Sequence, residues 1–259
     1  MTIFSRAAIA VALWAGITGA GIGAAAGAEL KVFSAGAVRA IVTELGQAFQ
    51  QETGHTVTLS FGTVGVTRGK LASGEPVDVV IMTDVAIDDV AKQGAVVSGS
   101  RADLARTGMG VGVRVGAPQP DIATSEAFKQ TLLAAKSLVY VDPAQGATSG
   151  IHFAGVLDRL GIADAVKGKT QLVPGGYPAE KVATGEAEVV VHQISEIVPV
   201  KGVVLVGPLP PDLQKVTVYS AGLAARSANP EIARAFIAFL TRPAFKAKFA
   251  AAGLDYRQP

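Results

Sequence analysis

The sequence predicts an α/β protein of two Rossmann-like lobes joined by two crossing strands, with a ligand cleft between them. Three observations predict it. Short apolar runs alternate with amphipathic runs along most of the chain, the βα order that builds parallel sheets. The composition is rich in Gly, Ala and Val, and only 6% of residues are aromatic, which suits buried strands and tight turns. A β-like run, Thr107 to Gly116, carries glycines at 108, 110, 112 and 116, where a hinge or a close backbone approach is expected.

The elements follow in chain order. Arg6 precedes an apolar stretch from Ala7 to about Ala26, and Ala26-Gly27-Ala28 supplies a small-x-small cleavage pattern, so residues 1–28 read as a secretory signal peptide. Strand Leu30–Phe33 leads into a helix from Ala37 to Thr53, whose Val38, Ile41, Val42, Leu45 and Phe49 recur at helical spacing, with Gly54 closing it. Strand Thr56–Phe61, a short helix around Val66–Ser73 and the nearly all-apolar strand Val77–Met82 complete a βαβαβ unit. Beyond the hinge come strand Ser137–Val141, a turn over Asp142–Gly146 and a helix from Ser149 to Leu160. Strands near Gln171–Val173 and Glu188–His192 follow. The chain returns through Val216–Ala224 and ends in a helix from Pro230 to Leu240, with Pro at its first position. Residues 29–110 plus 217–259 are expected to form lobe 1, and residues 111–216 lobe 2.

Composition also excludes. The chain has no cysteine, which removes thiol catalysis, thiolate metal sites and iron–sulfur clusters. Its 23 basic and 21 acidic side chains nearly balance and form no block, so nucleic acid is not an expected partner. After the leader no apolar run reaches spanning length: Glu188 to Gly207 is broken by His192, Gln193, Ser195, Glu196, Pro199 and Lys201. A periplasmic monomer without membrane insertion, metal or cofactor is expected. No nucleotide loop, HExxH motif or nucleophile elbow is present.

Three small-residue turns, Ser34-Ala35-Gly36, Gly62-Thr63-Val64-Gly65 and Thr148-Ser149-Gly150, each lead from a strand-like run into a helix-like run. There, backbone N–H groups and hydroxyls can converge on an anion. With Lys31-Val32-Phe33-Ser34-Ala35-Gly36-Ala37, Glu52-Thr53-Gly54, Leu59-Ser60-Phe61-Gly62-Thr63, Gly74-Glu75-Pro76-Val77-Asp78-Val79 and the late run Gly185 to Val191, the chain resembles the periplasmic molybdate-binding family. The resemblance implies a type II periplasmic binding protein fold that delivers a small anion to an ABC permease. It also implies ligand contacts from neutral donors, here Ser34, Ala35, Thr63, Val64, Thr148 and Ser149.

The departures are informative. Where molybdate binders resemble one another in a tyrosine that closes over the anion, this chain has His192. His152 falls in the first turn of the helix beginning near Ser149, where the dipole favours a neutral imidazole fit to donate a hydrogen bond or carry a proton. Arg39 and Arg68 follow the first two turns and offer forked donors that match a carboxylate. Tyr177, after Pro174-Gly175-Gly176, is placed to cover the cleft. The first expectation is a periplasmic substrate-binding protein for an oxyanion or organic carboxylate. The second is an enzyme on the same scaffold, because aconitate isomerase is similar to molybdate-binding proteins. Its chemistry would be a 1,3-proton shift, with His192 or His152 as base.

Overall fold

The computed structural model describes residues 27–256. The leader expected over residues 1–28 therefore lies almost wholly outside the described residues. No described helix is long and apolar enough to cross a membrane.

The strands are β1 (Glu29–Ala35), β2 (Thr56–Gly62), β3 (Val79–Thr83), β4 (Ala102–Arg114), β5 (Leu138–Val141), β6 (Thr170–Val173), β7 (Val189–Gln193), β8 (Val203–Pro208), β9 (Val216–Leu223) and β10 (Asp255–Tyr256). The helices are α1 (Arg39–Thr53), α2 (Val64–Ala72), α3 (Asp84–Lys92), α4 (Ser125–Ala134), α5 (Thr148–Arg159), α6 (Ala163–Lys167), α7 (Ala179–Thr184), α8 (Ile194–Ile197), α9 (Pro230–Leu240) and α10 (Lys246–Ala251). A 3-10 turn, Gly36–Val38, joins β1 to α1.

The strand order is β2-β1-β3-β9-β4-β7-β5-β6, with β10 and β8 also paired to β4. The parallel unit expected at the start is present, since β1 runs parallel to both β2 and β3. The next strand in space, β9, is antiparallel to β3 and to the first part of β4. The second half repeats the parallel arrangement, with β5 between β6 and β7.

The glycine run is not a separate connector. It is the second part of one thirteen-residue strand, β4, which pairs with β9 over Ala102–Gly108 and with β7 and β8 over Met109–Arg114. The lobes thus share a continuous strand, and the chain returns between them from Pro208 to Val216. This is the two-lobed type II periplasmic binding protein fold.

Each lobe has its own core. In the first, α1 buries Ile41, Val42, Leu45 and Phe49, and Phe49 meets Phe236 and Phe239 of α9 edge-on at 5.1 and 5.4 Å. At about 1.5–3 kcal/mol per buried large apolar side chain, this face fixes α1 and hence the β1–α1 turn. In the second, Phe153 of α5 packs against Phe128 and Tyr140, which holds the start of α5 at the carboxyl end of β5. Both junctions therefore open on the same crevice, at the carboxyl ends of parallel strands.

Candidate functional site

The crevice holds a cavity of about 370 Å³ lined from both lobes. That is within the size range of small-molecule sites. Ala35 and Gly36 end β1, Thr63 and Val64 start α2, Thr148 and Ser149 start α5, and His192 and Glu196 come from β7 and α8.

The donors on the α5 side are free to meet a ligand. The N-cap is Ala147, which caps with no side chain, and the first helical bond is from Ile151 N–H to Ala147 C=O. The N–H groups of Thr148, Ser149 and Gly150 precede it and are the helix's orphan donors, at the positive end of its dipole. Neither hydroxyl of Thr148 or Ser149 serves as the cap.

Thr63 is different. Its Oγ1 accepts from Val66 N–H at 3.1 Å, capping α2, and donates to the Gln145 carbonyl across the cleft at 2.5 Å. A hydroxyl has one proton, so none is left for a ligand in this closed arrangement. Beside it, Gly65 N–H donates to the Gly146 carbonyl at 3.2 Å. A Cβ on Gly65 would lie 2.7 Å from the Gln145 carbonyl oxygen, and one on Gly146 would lie 2.7 Å from the Cα of Gly65. Gly146 also has φ +64°. Only two glycines allow the lobes to clasp backbone to backbone here.

Arg39, the first residue of α1, reaches the cavity with its guanidinium 4.6 Å from the Phe61 ring centroid and 5.6 Å from that of Tyr177. Both lie in cation–π range. Its Nε is buried without a hydrogen-bond partner, and no carboxylate among the described residues pairs with it. Tyr177 does not line the cavity. It packs with the Val139 and Val190 cluster and helps hold Arg39 in place.

His192 and Glu196 form the other pole. Their residues are almost fully buried, and His192 Nε2 lies 3.2 Å from Glu196 Oε2. Neither ring nitrogen completes a well-directed hydrogen bond, and both are shielded from solvent. Glu196 Oε1 turns toward the β1–α1 turn, where a Cβ on Gly36 would stand 2.7 Å from it. The missing side chain at 36 makes room for that carboxylate. Next along the chain, Gln193 donates from Nε2 to the Tyr219 hydroxyl at 3.1 Å, and its Oε1 is buried without a partner. Tyr219 lines the cavity from β9. Burial, with the nearby Glu196 charge, pushes its phenol well above the usual tyrosine range.

Besides Tyr177, three expected site residues lie outside the cavity lining. Ser34 is fully buried inside β1, where its hydroxyl donates to the Ala35 carbonyl. Strand alternation points it away from the crevice that its neighbour Ala35 lines. Arg68 is 3.5 Å from Asp89 and lines a separate cavity beside the Gly65–Gly146 clasp. His152 bonds through Nε2 to the Leu213 carbonyl at 2.8 Å and does not line the cavity. Two polar residues that line the cavity, Glu196 and Tyr219, are not among the expected ones. His192 ends β7 and Glu196 lies in α8, so the turn from strand to helix between them brings the two side chains together, and no local periodicity signals it.

Comparison with known proteins agrees with this architecture. Residues 30–255 match the family model of bacterial extracellular solute-binding proteins. An aconitate isomerase from a Pseudomonas species is 36% identical over 217 residues, covering 82% of this chain and 81% of the relative. The molybdate-binding protein ModA of Azotobacter vinelandii is 31% identical over 199 residues, covering 75% of each chain. Among solved structures, a periplasmic molybdate-binding protein of Azotobacter vinelandii superposes with a TM-score of 0.70 at 21% identity, over 89% of this chain and 99% of the other. By the extent of the family match and the identity to these relatives, the chain belongs to the bacterial extracellular solute-binding proteins.

Proposed function

We propose that this protein is a periplasmic isomerase of a small polycarboxylate, of the aconitate type, rather than the delivery subunit of a permease. One observation carries the reading: a buried carboxylate, Glu196, stands in a cavity whose other groups are donors for an anion. Ionised, it repels the ligand that Arg39 and the start of α5 attract. That is a poor device for capturing an oxyanion, which has no carbon-bound proton to give. For a substrate with an acidic C–H beside a carboxylate, it is the base the chemistry needs.

The geometry supports an assignment of roles. Arg39 and the N–H groups and hydroxyls of Thr148 and Ser149 bind carboxylates and orient the substrate. Glu196 takes a proton from the methylene carbon, the C–H electron pair moves into the allylic system, and the double bond shifts by one carbon. The same group then returns the proton at the former vinylic carbon. His192, held against Oε2, leaves Oε1 as the oxygen that faces the substrate. The cleft clasped by Thr63, Gly65, Gln145 and Gly146 keeps water from the carbanion-like intermediate. The 36% identity to an aconitate isomerase supports the same reading.

The test is to incubate the mature chain with cis- and trans-aconitate and follow interconversion by proton NMR, alongside thermal shifts with molybdate and tungstate. Interconversion supports the proposal. Stabilisation by molybdate or tungstate with no turnover of either aconitate would mean anion capture for a transporter instead.

A further inference from the structure

Tyr219 carries a hydrogen-bond donor that the protein itself does not use. The Gln193 amide nitrogen bears only hydrogens, so at 3.1 Å the phenol oxygen is the acceptor of that contact. The phenol's own proton must then point elsewhere. No described group accepts it, although the residue is only 2% exposed, and the open space beside it is the ligand cavity. A buried donor without an acceptor is costly and rare in native proteins unless a ligand supplies the acceptor.

We propose that Tyr219 is a catalytic residue that donates its O–H, as a hydrogen bond, to the substrate carboxylate oxygen that gains charge when the allylic proton leaves. The proposal rests on the isomerase reading and adds the group that stabilises the intermediate. No net proton passes through the phenol: Glu196 removes and returns the proton, and the Tyr219 hydrogen bond shortens while the carbanion charge is delocalised onto oxygen. The surroundings fit a donor and not an acid. Burial and the Glu196 charge hold the phenol protonated across any working pH, so it stays a donor. Gln193 sets its direction, because an amide donor behind the oxygen leaves the hydrogen free to face forward. Two strands converge to make the arrangement: β9 supplies the phenol, and β7 supplies Gln193 beside His192.

Two variants test it, assayed for aconitate interconversion beside the wild type. Tyr219→Phe keeps the ring and removes the donor. Its kcat is expected to fall about 10²-fold or more, the usual loss when one oxyanion donor is removed, with KM within a few-fold. Gln193→Glu keeps the phenol but puts an acceptor behind it, drawing the proton away from the cavity, so kcat falls again with KM little changed. A merely structural role would lower thermal stability without splitting kcat from KM. Wild-type kcat in both variants, or a rise in KM alone, overturns the proposal while leaving the isomerase reading intact. A wild-type chain that interconverts neither aconitate overturns both.

Discussion

The rim and the floor of the cleft are built on opposite terms. At the rim, Thr63, Gly65, Gln145 and Gly146 satisfy one another with backbone and hydroxyl hydrogen bonds. On the floor, the Arg39 Nε, the His192 Nδ1 and the Gln193 Oε1 are buried without hydrogen-bond partners. Each such group costs about 1–3 kcal/mol of stability when nothing accepts or donates to it. A protein tolerates that concentration of unsatisfied polar groups where a ligand completes them. Under the proposed function the rim serves closure and the floor serves chemistry, and the two are expected to fail differently when mutated.

The largest effect is expected at the floor's carboxylate. Glu196→Gln conserves size and removes the base, so kcat for aconitate interconversion should drop about 10³-fold or more, roughly 4 kcal/mol of barrier. Binding, read by thermal shift with trans-aconitate, should persist or tighten because the repelling charge is gone. Retained turnover in this variant would remove Glu196 from the mechanism. Arg39→Met comes next and has two signs. It should weaken trans-aconitate binding about 10²-fold, because charge-assisted hydrogen bonds of about 1.5–3 kcal/mol are lost. Without ligand it should raise the melting temperature by about 2–4 °C, since an uncompensated cation leaves a site between Phe61 and Tyr177. A lower melting temperature would show that the two cation–π contacts outweigh the unpaired charge.

A rim substitution should reverse that pattern. Gly65→Ala places a Cβ 2.7 Å from a backbone oxygen of the other lobe, and backbone cannot swing aside as a side chain can. The lobes are then held apart, which small-angle scattering should read as a larger radius of gyration in the unliganded protein. Activity should fall about 10-fold through misplacement of groups contributed by opposite lobes, with the fold intact. Unchanged scattering would mean that the clasp adjusts locally and does not set lobe separation.

The rim and floor also differ in how far the sequence revealed them. The turns after β1 and β2 and before α5 were legible, because small residues between a period-two run and a period-3.6 run mark strand-to-helix junctions whatever the tertiary structure. What the hydroxyls do there was not. Thr63 lies in the cavity wall but spends its proton on Gln145, eighty-two positions away, a contact no local pattern encodes. Glu196 was hidden for another reason: α8 has only four residues, too short for an apolar stripe, so Glu196 entered the reading only as a break in the apolar run Glu188 to Gly207. Tyr219 sits in the apolar strand β9, where a tyrosine looks like core until the hydrogen bond from Gln193 shows which end of it is polar. The course of β4 was half legible. Its glycines marked a junction, but its identity as one strand shared by both lobes depends on pairing with β9, β7 and β8.

The smallest expected effect separates the two histidines that the sequence placed on equal footing. His152 is tied to the Leu213 carbonyl, in the segment that returns from the second lobe to β9, and lies outside the cavity. His152→Ala removes that bond and leaves a part-buried carbonyl short of its donor, at a cost of about 1–3 kcal/mol. The melting temperature should fall by a few degrees while kcat and KM for aconitate stay at wild-type values. His192→Ala should lower kcat, because its imidazole stands 3.2 Å from the buried carboxylate proposed as the base. There, the melting temperature should fall too, so it is the loss of kcat that separates the two histidines. If His152→Ala instead lowers kcat, the segment carrying Leu213 couples to the site, and the division between a self-satisfied frame and an unsatisfied floor is too sharp.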